Sequence, residues 1–168
     1  MKRILFALLF VVGTANAQYF TYKVKDWNNN KVYSFEYSPI LKQHLDEWFS
    51  NAEKMNMEIC VLEKLGGVFW SNQITFYTKP SFGLALMFKD SPMLVLVDDN
   101  IPTYLPTFIN AVLYHELAHL FTKNNRHPKH GVPYILQDGK NIKIENVIKT
   151  WNDEAKIEYF QYLKLKMK

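Results

Sequence analysis

The sequence predicts a small α+β domain in which a mostly antiparallel sheet packs against several helices. Three observations lead to this prediction. Residues 19–24 and 32–37 alternate between apolar and polar side chains, as half-buried strands do. Short apolar runs bounded by turn residues follow between residues 58 and 100. Three other segments, beginning near residues 39, 105 and 144, carry apolar residues at helical spacing.

The composition limits the chain to one domain without disulfide bonds. It has 168 residues, of which 48% are hydrophobic, and this is enough for a single core. The single cysteine, Cys60, excludes a disulfide framework and a cysteine-based zinc finger. Because Cys60 lies in an apolar run, we expect it to be buried. A formal net charge of +4 is low for a dedicated nucleic-acid-binding protein, so no nucleic-acid partner is expected.

The first 17 residues have the features of a signal peptide. Lys2 and Arg3 precede an apolar run over residues 4–12, and Ala15 and Ala17 form an A-x-A cleavage site. The run is too short to remain as a membrane anchor. We therefore expect a mature domain of residues 18–168 that is exported to the periplasm or secreted. Cleavage would remove Lys2 and Arg3, which leaves 18 basic against 16 acidic residues and a net charge of +2.

The predicted strands begin with a hairpin. Residues 19–24 and 32–37 form its two strands, because the asparagines at 28–30 favour a turn between them. Four further strands are predicted, over residues 59–63, 74–78, 84–88 and 93–97. The glycines at 66–67 are expected to form a turn, and residues 89–92 are expected to form the turn of a second hairpin.

Three helical segments are predicted, over residues 39–56, 105–121 and 144–166. Ser38 followed by Pro39 suits the start of the first helix, as an N-cap and the first helical residue. His44 lies on the apolar side of that helix, which favours a hydrogen-bonded structural histidine over a metal ligand. Thr150 and Asp153 are spaced so that the last segment can restart as a separate capped helix.

The segment with a chemical signature is H-E-L-A-H at residues 115–119. His115 and His119 are four residues apart on a predicted helix, so both imidazoles lie on one face and can share a metal ion. Glu116 is placed to reach a metal-activated water rather than the metal. The rest of this helix is uncharged, which suits a site built on a buried helix. The pattern predicts a zinc site with an adjacent general base.

A catalytic zinc site needs a third protein ligand and an open fourth position. His130 is the first candidate, because the glycine that follows it would let the loop turn back toward the helix. His127 is close by, but the proline after it restricts its backbone. Glu154 in the last helix is the rival ligand, followed by Glu158 and Asp153.

These features together resemble the zincin metallopeptidases over about residues 92–134. An extended segment at 93–97 precedes the H-E-L-A-H helix, and an H-G-x-x-aromatic element follows at residues 130–134. This order is similar to that of the SprT-like group of zincins. The resemblance implies a small zincin-like domain with zinc as its cofactor and peptides as its substrates.

The resemblance also implies roles for individual residues. His115, His119 and His130 would bind zinc, and Glu116 would be the catalytic base. The strand at residues 93–97 would bind the substrate in extended form, although an ordinary inner strand is an equally good reading of this segment.

The sequence thus predicts an exported, zinc-dependent metallopeptidase that hydrolyses peptide bonds. A gluzincin-type peptidase that uses Glu154 as its third ligand is one alternative. A secreted zinc-binding or interaction protein without turnover is another, and His127 as a fourth protein ligand would favour it. Tyr134 or Tyr114 is a candidate for a hydrogen bond to the oxyanion.

Overall fold

A computed structural model describes residues 18–72, 81–87, 91–122 and 143–167 of the chain. The predicted signal peptide lies outside these ranges. The described strands are β1 (Phe20–Lys25), β2 (Val32–Tyr37), β3 (Leu65–Ser71), β4 (Gly83–Leu86) and β5 (Met93–Asp98). The described α-helices are α1 (Lys42–Lys54), α2 (Pro106–Thr122), α3 (Ile144–Thr150) and α4 (Asp153–Lys166). The predicted α+β class is confirmed.

The five strands form one sheet in the order β1-β2-β3-β5-β4. Its two outer pairings, β1 with β2 and β5 with β4, are antiparallel. Its two inner pairings, β2 with β3 and β3 with β5, are parallel, so the centre of the sheet is more mixed than the sequence predicted. Helix α1 lies in the connection between β2 and β3, and a helical crossover of this kind allows two strands to run parallel.

The predicted N-terminal hairpin is confirmed. Strands β1 and β2 pair from Phe20 opposite Tyr37 to Lys25 opposite Val32. Asn30 in the connection has a φ of 61°, a left-handed conformation that asparagine tolerates better than most residues.

The first predicted helix forms, but Ser38 does not cap it. A 3-10 turn over Pro39–Leu41 precedes α1. The Ser38 hydroxyl instead accepts a hydrogen bond of 3.0 Å from the backbone N–H of Trp70 in β3. Ser38 thus ties the start of the helical segment to the sheet. Trp48, on the side of α1 that faces the core, is fully buried.

The predictions for residues 59–67 are wrong in three respects. Residues 60–64 form a 3-10 helix rather than a strand. This helix repeats every three residues, so Ile59 and Leu62 both face the core while Cys60 is exposed rather than buried. The glycines at 66–67, predicted as a turn, lie inside β3. At Gly66 an added Cβ would lie 2.6 Å from the Cβ of Pro92, so this glycine allows a close approach within the sheet.

The antiparallel pairing of β4 with β5 agrees with the predicted second hairpin. Residues 88–90 of its turn and the strand predicted at 74–78 lie outside the described residues.

The helices after the sheet follow the prediction closely. Helix α2 matches the predicted segment, and the last segment is divided into α3 and α4. Asn152, rather than Thr150, caps α4, because its side-chain oxygen accepts a hydrogen bond from the N–H of Ala155 at 2.9 Å. None of the helices in the described ranges is both long and apolar enough to cross a bilayer.

Candidate metal centre

Helix α2 carries the H-E-L-A-H segment through the middle of the domain. It contacts β4 and β5 on one side and the other helices on the other. Twelve of its 17 residues are buried, which explains why the helix is apolar nearly all round. His115 and His119 are among the few half-exposed residues of this helix, so they mark where it reaches the surface.

The two histidines meet as the helical spacing predicts. Their Nε2 atoms are 3.2 Å apart, and their ring planes are inclined at 78°. A zinc ion in tetrahedral geometry, with Zn–N distances of about 2.0–2.1 Å, requires two nitrogen ligands roughly 3.3 Å apart. The observed pair fits this requirement, and imidazole nitrogen is one of the ligands that zinc prefers.

Glu116, the residue that follows His115 in the chain, is buried. Only 6% of its surface is exposed, and its carboxyl lies against strand β4. Burial raises the pKa of Glu116 to about 8, while the backbone N–H of Ala85, which donates to the carboxylate, opposes this shift. A carboxyl with a pKa near neutrality can both accept and return a proton at neutral pH.

Two residues of β4 lie against Glu116, and sequence reasoning missed both. Ala85 supplies the backbone donor. At Gly83, an added Cβ would lie 2.6 Å from both Cγ and Oε1 of Glu116. A glycine within a strand indicates a close backbone approach, but Gly83 precedes the strand predicted at 84–88 and joins the strand only in the structure. Its partner could not be identified, because Gly83 and Glu116 are far apart along the chain.

Strand β5 is an inner strand, so the role suggested for residues 93–97 is corrected. One of its edges pairs with β3 and the other with β4. Its backbone groups are therefore engaged within the sheet and cannot add a peptide strand. Among the described strands, β4 forms the edge of the sheet on this side.

The structure describes only some of the candidates for the third ligand. His130 and His127 lie outside the described residues, so the assignment of His130 stays a prediction. Glu154, Glu158 and Asp153 are exposed on α4. Within the described ranges, no three His, Cys, Asp or Glu side chains form a group that could hold a metal.

Of the other candidate residues, Tyr114 and His44 belong to the core. Tyr114 is fully buried, and its hydroxyl accepts a hydrogen bond from Asn51 at 3.2 Å, so it belongs to the core. Tyr134 lies outside the described residues. His44 is also buried, and its Nδ1 lies 3.4 Å from the side-chain nitrogen of Asn110. This environment agrees with the structural role predicted for His44.

Comparison of the chain with models of protein families, with curated proteins and with solved structures finds no match.

Proposed function

We propose that this protein is an exported, zinc-dependent metallopeptidase that hydrolyses peptide bonds. The observation that carries this proposal is the pair of imidazoles with Nε2 atoms 3.2 Å apart, on the helix that also carries the buried Glu116. The H-E-x-x-H spacing and the likeness to zincins support a peptide substrate. Export rests on the signal-peptide pattern of residues 1–17.

His115 and His119 would hold the zinc ion through Nε2, and His130 is the proposed third ligand. Zinc at this position would supply Lewis acidity toward water and the scissile carbonyl. The packed neighbours on both sides of α2 hold the helix backbone from which the two imidazoles project. This fixed geometry favours binding of a metal without a large ordering cost.

Glu116 is the proposed general base. Its carboxylate would take a proton from the attacking water and later return it to the leaving amine. The low-polarity surroundings keep its basicity high, because burial disfavours the ionised form. A cation held by the adjacent histidines would oppose this effect and favour the ionised form needed for the first proton transfer.

The position of β4 supports an extended substrate. Strand β4 is at the edge of the described sheet and lies against Glu116. A peptide that lies along the outer side of this strand would bring a carbonyl group close to the carboxyl. Phe82, which precedes β4 and is 43% exposed, offers an apolar contact for a substrate side chain beside this path.

The proposal is tested with the mature domain, residues 18–168. The purified protein is incubated with a diverse peptide library, with and without a chelator, and the products are identified by mass spectrometry. We expect cleavage that the chelator abolishes and added zinc restores. A His115→Ala variant serves as the control for a contaminating protease. Cleavage that persists in the chelator or in this variant would contradict the proposal.

A further inference from the structure

We propose that the backbone of strand β4 positions the general base, with Ala85 as donor to the Glu116 carboxylate and Gly83 as the residue that leaves room for it. This inference deepens the proposed function and rests on it. Gly83 and Ala85 act through Glu116, so they are positioning residues rather than catalytic ones.

The sheet register shows which way the N–H of Ala85 points. The backbone N–H of Asp98 donates to the carbonyl of Phe82, so these two opposite residues form a hydrogen-bonded pair. Bonded and non-bonded pairs alternate along an antiparallel ladder. Because Ala85 lies three residues beyond Phe82, opposite Val95, it belongs to a non-bonded pair. Its N–H therefore points away from β5, toward the outer edge of the strand, where it meets Glu116.

Gly83 controls the space around the same carboxyl. Gly83 and Ala85 lie on the same face of β4, since side chains alternate along a strand. A Cβ at Gly83 would lie 2.6 Å from Oε1 and 2.9 Å from Cδ of Glu116, closer than non-bonded atoms approach. The atoms in the way belong to the flexible end of a side chain. An alanine at this position would therefore move the carboxyl rather than the strand.

Both residues act on the position of the carboxyl. The Ala85 N–H donates to the Glu116 carboxylate. A Cβ on Gly83 would occupy space that Oε1 and Cδ of Glu116 fill, so the bare backbone leaves room for the carboxyl against β4. A general base misplaced by about 1 Å can lose roughly 100-fold in rate, so this positioning matters for turnover.

The first test compares Gly83→Ala with Gly66→Ala in the zinc-loaded protein. Both substitutions introduce a Cβ with a 2.6 Å contact into the same sheet, but Gly66 meets Pro92 rather than Glu116. For Gly83→Ala we expect kcat to fall roughly 100-fold, with KM, zinc content and Tm close to wild type. For Gly66→Ala we expect kcat to be unchanged even if Tm falls. Wild-type kcat in Gly83→Ala would overturn the proposal, as would equal losses of kcat in the two variants.

The second test removes the donor. Ala85→Pro deletes an N–H that points out of the sheet, so no bond between β4 and β5 is lost. Leu84→Pro is the matched control, because its N–H points toward β5 and supports the ladder. We expect Ala85→Pro to stay folded with a reduced kcat, and Leu84→Pro to lose stability. A folded Ala85→Pro with wild-type kcat would contradict the role of Ala85.

A spectroscopic measurement separates failure of this inference from failure of the proposed function. The side-chain carboxyl carbon of Glu116 is observed by ¹³C NMR in protein with labelled glutamate, and it is assigned from its absence in Glu116→Gln. We expect its resonance to move in Gly83→Ala and to stay in place in Gly66→Ala. A wild-type protein without peptidase activity would refute the proposed function alone. An unmoved Glu116 resonance in Gly83→Ala would refute the positioning role.

Discussion

The side-chain oxygen of Asn110 accepts a 2.7 Å hydrogen bond from the indole N–H of Trp151. This bond identifies which atom of the Asn110 amide is the oxygen and which is the nitrogen. The amide nitrogen must then face the Glu47 carboxylate, at 3.1 Å, and Nδ1 of His44, at 3.4 Å. Because an amide nitrogen only donates, Nδ1 of His44 accepts from Asn110.

We expect acid to destabilise the protein through His44. Protonation would place a second N–H of the ring against the donating nitrogen of Asn110. Burial is the main cause that lowers the pKa of His44, and the positive charge of Lys156 adds to it, while Glu47 acts in the opposite direction. Since the folded pKa is below the unfolded value of about 6.5, this contribution to stability is present above that pH and is lost as pH falls toward the lowered pKa.

The measurement is the Tm as a function of pH in wild type and in His44→Gln. Glutamine can accept the bond from Asn110 but does not titrate. We expect the wild-type Tm to fall between pH 7 and 5 more steeply than that of the variant. Parallel curves for the two proteins would show that His44 is not the group responsible.

We expect Tyr159→Phe to lower the free energy of unfolding by about 1–3 kcal/mol. The Tyr159 hydroxyl donates to the carbonyl of Tyr114 at 2.7 Å and accepts from the indole of Trp48 at 3.2 Å. Its loss would leave the indole N–H buried without this partner. Urea denaturation measures the change. Tyr162→Phe, a half-buried position on the same helix, is the control and should change stability by less than about 0.5 kcal/mol.

We expect Glu116→Gln to bind zinc but to hydrolyse peptides roughly 10²–10⁴-fold more slowly, because the amide cannot accept the proton. In the metal-free protein the same substitution has a second expected effect. The pKa of Glu116 is raised from 4.5 to about 8. The free energy of unfolding of the wild type therefore falls as the pH rises from 4.5 through 8, because the buried carboxyl must ionise. Metal-free Glu116→Gln should therefore gain stability over wild type across this range. Wild-type rates in zinc-loaded Glu116→Gln would remove Glu116 from the mechanism.

Zinc affinity distinguishes the candidates for the third ligand. We expect His130→Ala to weaken zinc binding by at least roughly tenfold and Glu154→Ala to leave it unchanged, because Glu154 is exposed on α4. His127→Ala is the matched control for a histidine near His130. Competition with a chromophoric chelator gives the affinities. A loss confined to Glu154→Ala would favour the gluzincin-type site, and a loss in both histidine variants would favour a four-ligand site without turnover.

The sequence was most informative where structure depends on local spacing. The hairpin of β1 and β2 and the meeting of His115 with His119 both follow from periodicities of two and about four residues. Predictions failed where neighbours distant along the chain decide the conformation. Gly66 allows β3 to approach Pro92, and local rules read it as a turn. The strand predicted at 59–63 has two buried positions three residues apart, which suit a 3-10 helix better than an alternating strand.

Prediction of the site was limited in the same way by neighbours that are distant along the chain. The histidine pair and the adjacent glutamate could be identified from one segment of the sequence. The contact of Glu116 with β4 could not, because it depends on how the sheet edge packs on α2. A single glycine in a strand signals that some group approaches closely but does not identify that group.

The central position of α2 has a consequence for the order in which the domain opens. Its backbone amides are covered by the sheet on one side and by helices on the other. Local fluctuations at the surface leave such amides protected, so their hydrogen exchange requires opening of the whole domain. The amides of residues 110–121 should therefore be among the slowest to exchange. The backbone that carries the histidine pair would then stay helical until the protein unfolds as a unit.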